Sequence, residues 1–133
     1  MSAGFLKDPS ASEWQDDAAT KEWLGWMKRY YPEGDIADSM NVYAYTSAQA
    51  LVHVLQRCGD NLTRENVMRE AASIKDLALP MFLPGIRVNT SATEYYPVRG
   101  AQLLRFDGKA WVRVLDTSTA QQPSGVATPA RAR

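Results

Sequence analysis

The chain has 133 residues, 45% of them hydrophobic, which is enough for one domain with its own core and too few for two. Lys plus Arg and Asp plus Glu number 15 each, so the formal net charge is +0; no basic stripe is available for a polyphosphate backbone, and nucleic acid is not an expected partner. The single cysteine, Cys58, excludes an internal disulfide and a thiolate-based metal site, and reads as a small buried apolar side chain.

Residues 1–19 carry Pro9, Ser10, Ser12 and several acids without sustained periodicity, and read as an N-terminal surface connection. Residues 1–30 lack the basic-then-apolar order of a secretory signal, and no apolar run approaches the ~20 residues of a membrane-crossing helix. As given, the chain is expected to stay in the cytoplasm. Glu13, Asp16 and Asp17 lie just before the first helix, where carboxylates favour the positive end of the dipole.

From about Thr20 to Tyr31, Trp23, Leu24, Met27, Tyr30 and Tyr31 recur on one helical face, and Pro32 and Gly34 stop the helix. Val42 to Cys58 is apolar around much of its circumference, ends at Gly59 as a left-handed C-cap, and predicts a helix that wants cover on more than one side. Thr63 is placed to cap a third helix, roughly Arg64 to Ile74, with Val67, Met68, Ala71, Ala72 and Ile74 as its apolar face.

After Pro80 the pattern turns to Pro, Gly and short β-type runs at Ile86–Val88, Gln102–Phe106 and Ala110–Leu115. The last two flank Asp107-Gly108, a pair suited to a two-residue type I′ turn. Residues 116–133, rich in Ser, Thr, Pro, Gln and Ala without an apolar pattern, predict a disordered tail. The division is thus 1–19, 20–115 and 116–133. Three helices with wide apolar faces need a partner layer, and the strands offered here are few; either the missing layer is a sheet upstream of Met1, or the chain is a small helical domain with an appended hairpin.

Few residues carry chemistry. His53, the single histidine, has Gln49 and Arg57 one helical turn away, which makes neither a metal site nor a triad. Asp35 and Asp38 lack the glycine and distal glutamate of a calcium loop. There is no phosphate-cradling glycine loop and no nucleophile elbow. No enzyme, metal or cofactor is expected. Asn61-Leu62-Thr63 fits a glycosylation sequon but reads as a turn leading into a cap. Asp38-Ser39-Met40-Asn41-Val42-Tyr43 leads polar residues into a buried helix, where a helix start offers either free amides for a ligand or ordinary capping.

The order of segments resembles a known family. Phe5-Leu6-Lys7-Asp8-Pro9, Trp14-Gln15-Asp16-Asp17, Lys21-Glu22-Trp23-Leu24, Tyr30-Tyr31-Pro32-Glu33-Gly34-Asp35 and Asn41-Val42-Tyr43 follow one another as in the late region of periplasmic solute-binding proteins of the branched-chain amino acid type. So do Cys58-Gly59-Asp60-Asn61-Leu62-Thr63-Arg64-Glu65-Asn66-Val67, Leu83-Pro84-Gly85-Ile86, and Leu104-Arg105-Phe106-Asp107-Gly108-Lys109 with Trp111. The likeness covers about residues 5 to 115.

The resemblance implies an α/β fold: the C-terminal fragment of a type I periplasmic binding protein, three helices followed by a β-hairpin, lacking most of the parallel sheets. It implies the substrate-binding component of an ABC importer, which captures a small solute such as an amino acid and passes it to a permease. Asn41, and after it Tyr43, match the stretch that contributes a pocket-wall contact in that family. A free-standing protein-interaction domain, or a non-functional truncated relic, is the alternative.

Overall fold

The computed structural model describes residues 1–108 and 111–114, so the expected tail at 116–133 and the far end of the last expected strand lie outside the described residues. The fold is mixed α/β. A strand β1 (Ser2–Gly4) and a 3₁₀ turn (Ser12–Trp14) precede three helices, α1 (Ala18–Tyr30), α2 (Ser39–Cys58) and α3 (Arg64–Ala71). A long irregular segment then leads to β2 (Gln102–Phe106) and β3 (Trp111–Arg113). The sheet is antiparallel throughout, in the order β1-β2-β3.

The helix starts follow from local chemistry. The Asp17 carboxylate accepts from the Thr20 amide at 2.9 Å, Asp38 from the Met40 amide at 2.9 Å, and the Thr63 hydroxyl from the Asn66 amide at 3.4 Å. Each satisfies one of the donors that a helix leaves unpaired in its first turn. Asn61 Oδ1 accepts from the Thr63 hydroxyl at 2.8 Å, forming the turn expected before that cap. Asn66, itself buried, donates to the carbonyls of Asn61 and Cys58 and so joins the end of α2 to the start of α3. α2 stops at Gly59, whose φ is +56° but whose ψ is −134°, so the stop is a positive-φ glycine and not the left-handed helical cap expected.

Several expectations need correction. The 1–19 connection contains β1, whose partner Leu104 for Ser2 lies at the other end of the chain, and the 3₁₀ turn, whose Trp14 is buried. Ile86–Val88 is no ladder strand: Val88 makes isolated bridges to Leu77 and Val98. Phe106 pairs with Trp111, which leaves residues 107–110 between the strands instead of two, and Gly108 but not Asp107 has positive φ, so the type I′ turn is not formed. Of the α1 face, Trp23 and Met27 are buried whereas Tyr30 and Tyr31, at the end of the helix, are exposed.

The core has two parts. The larger gathers Trp14, Val54, Cys58, Ile74 and the irregular segment's Leu79, Phe82, Leu83, Ile86 and Val88; the smaller holds Trp23, Met27, Val42 and Met81. The N-terminal chain clasps that irregular segment from outside, with the Lys7 amide donating to the Met81 carbonyl at 2.9 Å and the Leu83 amide to the Phe5 carbonyl at 2.8 Å. Lys7 then pairs with Asp17 at 2.9 Å. Its ammonium and the Arg113 guanidinium lie 5.1 Å and 5.0 Å from the Trp14 ring centre. One indole thereby ties β3, the clasp and the cap of α1 together, through contacts whose strength grows when they are shielded from water.

Candidate functional site

Asn41 and Tyr43 sit two residues apart in the first turns of α2, which turns their side chains toward different walls. Asn41 lines a cleft of about 460 Å³ between α1 and α2, with Trp26, Met27, Tyr31 and Tyr45 as aromatic and apolar walls and Gln49 and His53 further along. Such a volume falls within the range of small-molecule sites. Tyr43 lines another cleft of about 260 Å³, against Phe5, Phe82, Ala50 and Val98, and stands edge-on to the Phe5 ring at 6.4 Å. The structure therefore does not bring the two expected site residues to one place.

The helix start is capped. Besides the Asp38 carboxylate on the Met40 amide, the Asp38 carbonyl accepts from the Asn41 amide at 3.0 Å, and Asp35 Oδ1 accepts from the Ala37 amide at 2.8 Å. Asn41 Nδ2 donates to the Asp35 carbonyl at 2.8 Å, fastening the turn that enters α2. Half of the Asn41 amide thus serves the backbone, and its position at the cleft rim is held by that bond.

Gln49 was not expected from the sequence to matter. Its Oε1 is buried and has no hydrogen-bond partner, as has the indole nitrogen of Trp23. A buried acceptor without a donor costs about 1–3 kcal/mol, so Gln49 is a polar group that the packing of α1 on α2 leaves unsatisfied by protein. The one signal in the sequence was a glutamine inside the run Ala48-Gln49-Ala50-Leu51-Val52.

Electrostatics are quiet around the cleft. Burial, aided by the negative charge of Glu22, raises the Tyr45 phenol above its usual value and keeps it neutral. Asp17 lies outside it: burial alone would raise that carboxyl, but its bonds from Lys7 and Thr20 and the Lys7 charge outweigh burial and hold it below the usual 3.8. Among the described residues no group of three His, Cys, Asp or Glu is placed to hold a metal ion, and no helix is long and apolar enough to cross a membrane.

What remains is a long open face. Along α2, Met40, Tyr43, Ala44, Ser47, Ala48, Leu51, Val52 and Leu55 are all exposed, while Val42, Thr46, Val54 and Cys58 carry its packing. The sheet does not cover this face. No family model, no curated protein and no solved structure matches the chain.

Proposed function

We propose that the chain is the C-terminal portion of a solute receptor of the branched-chain amino acid type, which in its intact parent captures a small solute without covalent chemistry and delivers it to an ABC permease. The observation that carries this reading is the open apolar face of α2. A helix in a lobe with a parallel sheet presents such a face to the strands, and among the described residues the antiparallel strands leave it exposed. The order of segments from Phe5 to Trp111 supports the same reading. Asn41, at the rim of the α1–α2 cleft, is the solute contact in this proposal; Tyr43 opens on the other cleft and forms a wall there. Catalysis plays no part.

The open face also favours the alternative, a free-standing interaction domain. Reading the transcript upstream of Met1 separates the two. An in-phase frame that continues through an α/β lobe and begins with an export signal supports the receptor; an in-frame stop directly before Met1 rejects it. In the longer product, Asn41→Ala is expected to weaken solute binding in calorimetry, and unchanged affinity removes Asn41 from the site.

A further inference from the structure

The exposed residues of α2 fall in two rows spaced by four: Ala44, Ala48 and Val52 floor the α1–α2 cleft, and Tyr43, Ser47, Leu51 and Leu55 lie outside it. Over that floor the cleft, of about 460 Å³, is walled by three aromatic rings: Trp26 on α1, Tyr31 at its end, and Tyr45 on α2. The Trp26 and Tyr45 ring centres are 5.1 Å apart. Tyr31 is held in place by the turn that follows it. Its ring lies on the bare backbone of Gly34, where a Cβ would strike both that ring and the Met27 methyl, and its carbonyl accepts from the Gly34 amide at 3.0 Å.

The unsatisfied polar group of this cleft is an acceptor, Gln49 Oε1, and Asn41, which spends Nδ2 on the Asp35 carbonyl, leaves its own acceptor Oδ1 at the rim. No lysine or arginine lines the cleft, since Arg29 is stacked on the Tyr30 ring at 5.1 Å. The nearest charge with an effect on its walls is negative: Glu22, one turn before Trp26, acts on the Tyr45 phenol. Ring faces attract a cation, an orphaned acceptor takes an N–H, and a carboxylate would find no cation among the lining residues.

We infer that the α1–α2 cleft takes a small organic ammonium with an apolar body, its charge set against the faces of Trp26, Tyr31 and Tyr45 and one N–H donated to Gln49 Oε1. The inference rests on the reading of Asn41 as a solute contact and narrows that solute to a cation without a carboxylate. What lies upstream of Met1 does not enter, because every wall named belongs to this chain.

Calorimetric titration of the full chain tests it, at about pH 8, where an ordinary imidazole is neutral and an alkylammonium is charged. Three probes share one shape: phenethylammonium, its neutral analogue phenethyl alcohol, and phenylalanine, which adds a carboxylate. The ammonium is expected to bind about tenfold tighter than either of the others. Equal binding of the alcohol overturns the inference. Tighter binding of phenylalanine overturns it as well but leaves the solute reading of Asn41 standing. No binding of the ammonium also overturns it, and the receptor reading is then still decided by the frame upstream of Met1. Two variants locate the cation. Tyr31→Leu keeps apolar bulk and removes a ring face, and Gln49→Leu removes the orphaned acceptor without costing the fold a hydrogen bond. Each is expected to weaken the ammonium about three- to tenfold, and Tyr31→Leu to leave the alcohol unchanged. Tyr95→Leu, at an exposed position outside the cleft, is expected to change neither. An ammonium affinity that Tyr31→Leu or Gln49→Leu leaves unchanged overturns the proposal.

Discussion

The most regular element of this molecule is its least covered, and the least regular is its most buried. α2 runs for 20 residues with its cap, its stop and its apolar pattern in order, yet an entire face of it is open. The segment from Leu79 to Val88 has no ladder strand or helix, yet Met81 is fully buried and Leu83, Phe82 and Ile86 nearly so. Periodicity establishes that a helix forms; burial is decided by whichever distant chain arrives to cover it. Here the irregular segment receives that cover from the N-terminal clasp, whereas among the described residues the clasp reaches the exposed rows of α2 at Tyr43, edge-on to Phe5, and leaves that tyrosine 48% exposed.

The sharpest way to break this comparison is to truncate one large side chain in each region. Phe82→Ala removes a ring that sits edge-on to Phe5 at 5.7 Å inside the larger core, and should destabilise the fold by about 3–5 kcal/mol in denaturant melts. Leu51→Ala on α2, measured at high dilution, should stay within about 0.5 kcal/mol. If both truncations cost the same at high dilution, the contrast between the regions is wrong.

The clasp itself provides the next test. Asp17 caps α1 and pairs with the nearly buried Lys7, so Asp17→Ala loses a cap and leaves an ammonium without its carboxylate. A loss of about 2–3 kcal/mol is expected. The pH dependence has a definite sign. The Asp17 carboxyl is lower in the folded chain than its usual 3.8, so its contribution is fully present above that value and is lost as pH falls through the folded one. An acid melt of Asp17→Ala should therefore be flatter below the usual carboxylate value than that of the parent chain.

How far the sequence reached can be judged residue by residue. The cap at Thr63, the turn at Asn61 and the stop at Gly59 depend on atoms within a few residues and could be read, whereas Asp17, read only as one of three carboxylates near the helix start, is the residue that caps α1. β1 could not, because Ser2 pairs with Leu104 and nothing near Ser2 announces a partner so far along the chain. The hairpin was placed correctly in the chain but its register was not, since Asp107-Gly108 satisfies a wider connection as well as a tight one. The cleft walls were less legible than the caps. The resemblance offered Asn41 and Tyr43 together, but two residues of helical rotation carry Tyr43 to a different wall from Asn41, and only packing exposes the orphaned oxygen of Gln49.

Gly59 gives a smaller and more local effect. With φ at +56° and no atom within 4 Å of the position a Cβ would take, Gly59→Ala meets backbone strain and no clash. About 1 kcal/mol is expected, read as an earlier loss of helix signal on heating. A larger loss would show that the junction of α2 and α3, where Asn66 holds the Cys58 carbonyl, is stiffer than the open helix that leads to it.

The smallest effect has the opposite sign. Gln49 Oε1 lies buried without a donor, so Gln49→Leu removes an unsatisfied acceptor and adds apolar contact with the walls of the α1–α2 cleft. Replacing such a group by an apolar one of similar size is neutral or favourable, and a gain of about 0.5–1 kcal/mol is expected in denaturant melts. A loss of stability instead would mean that the oxygen has a donor in solution, such as a water held in the cleft. That outcome would make the wall between α1 and α2 a polar, hydrated one, and would narrow the contrast between the covered loop and the open helix to the rows beyond Ala48.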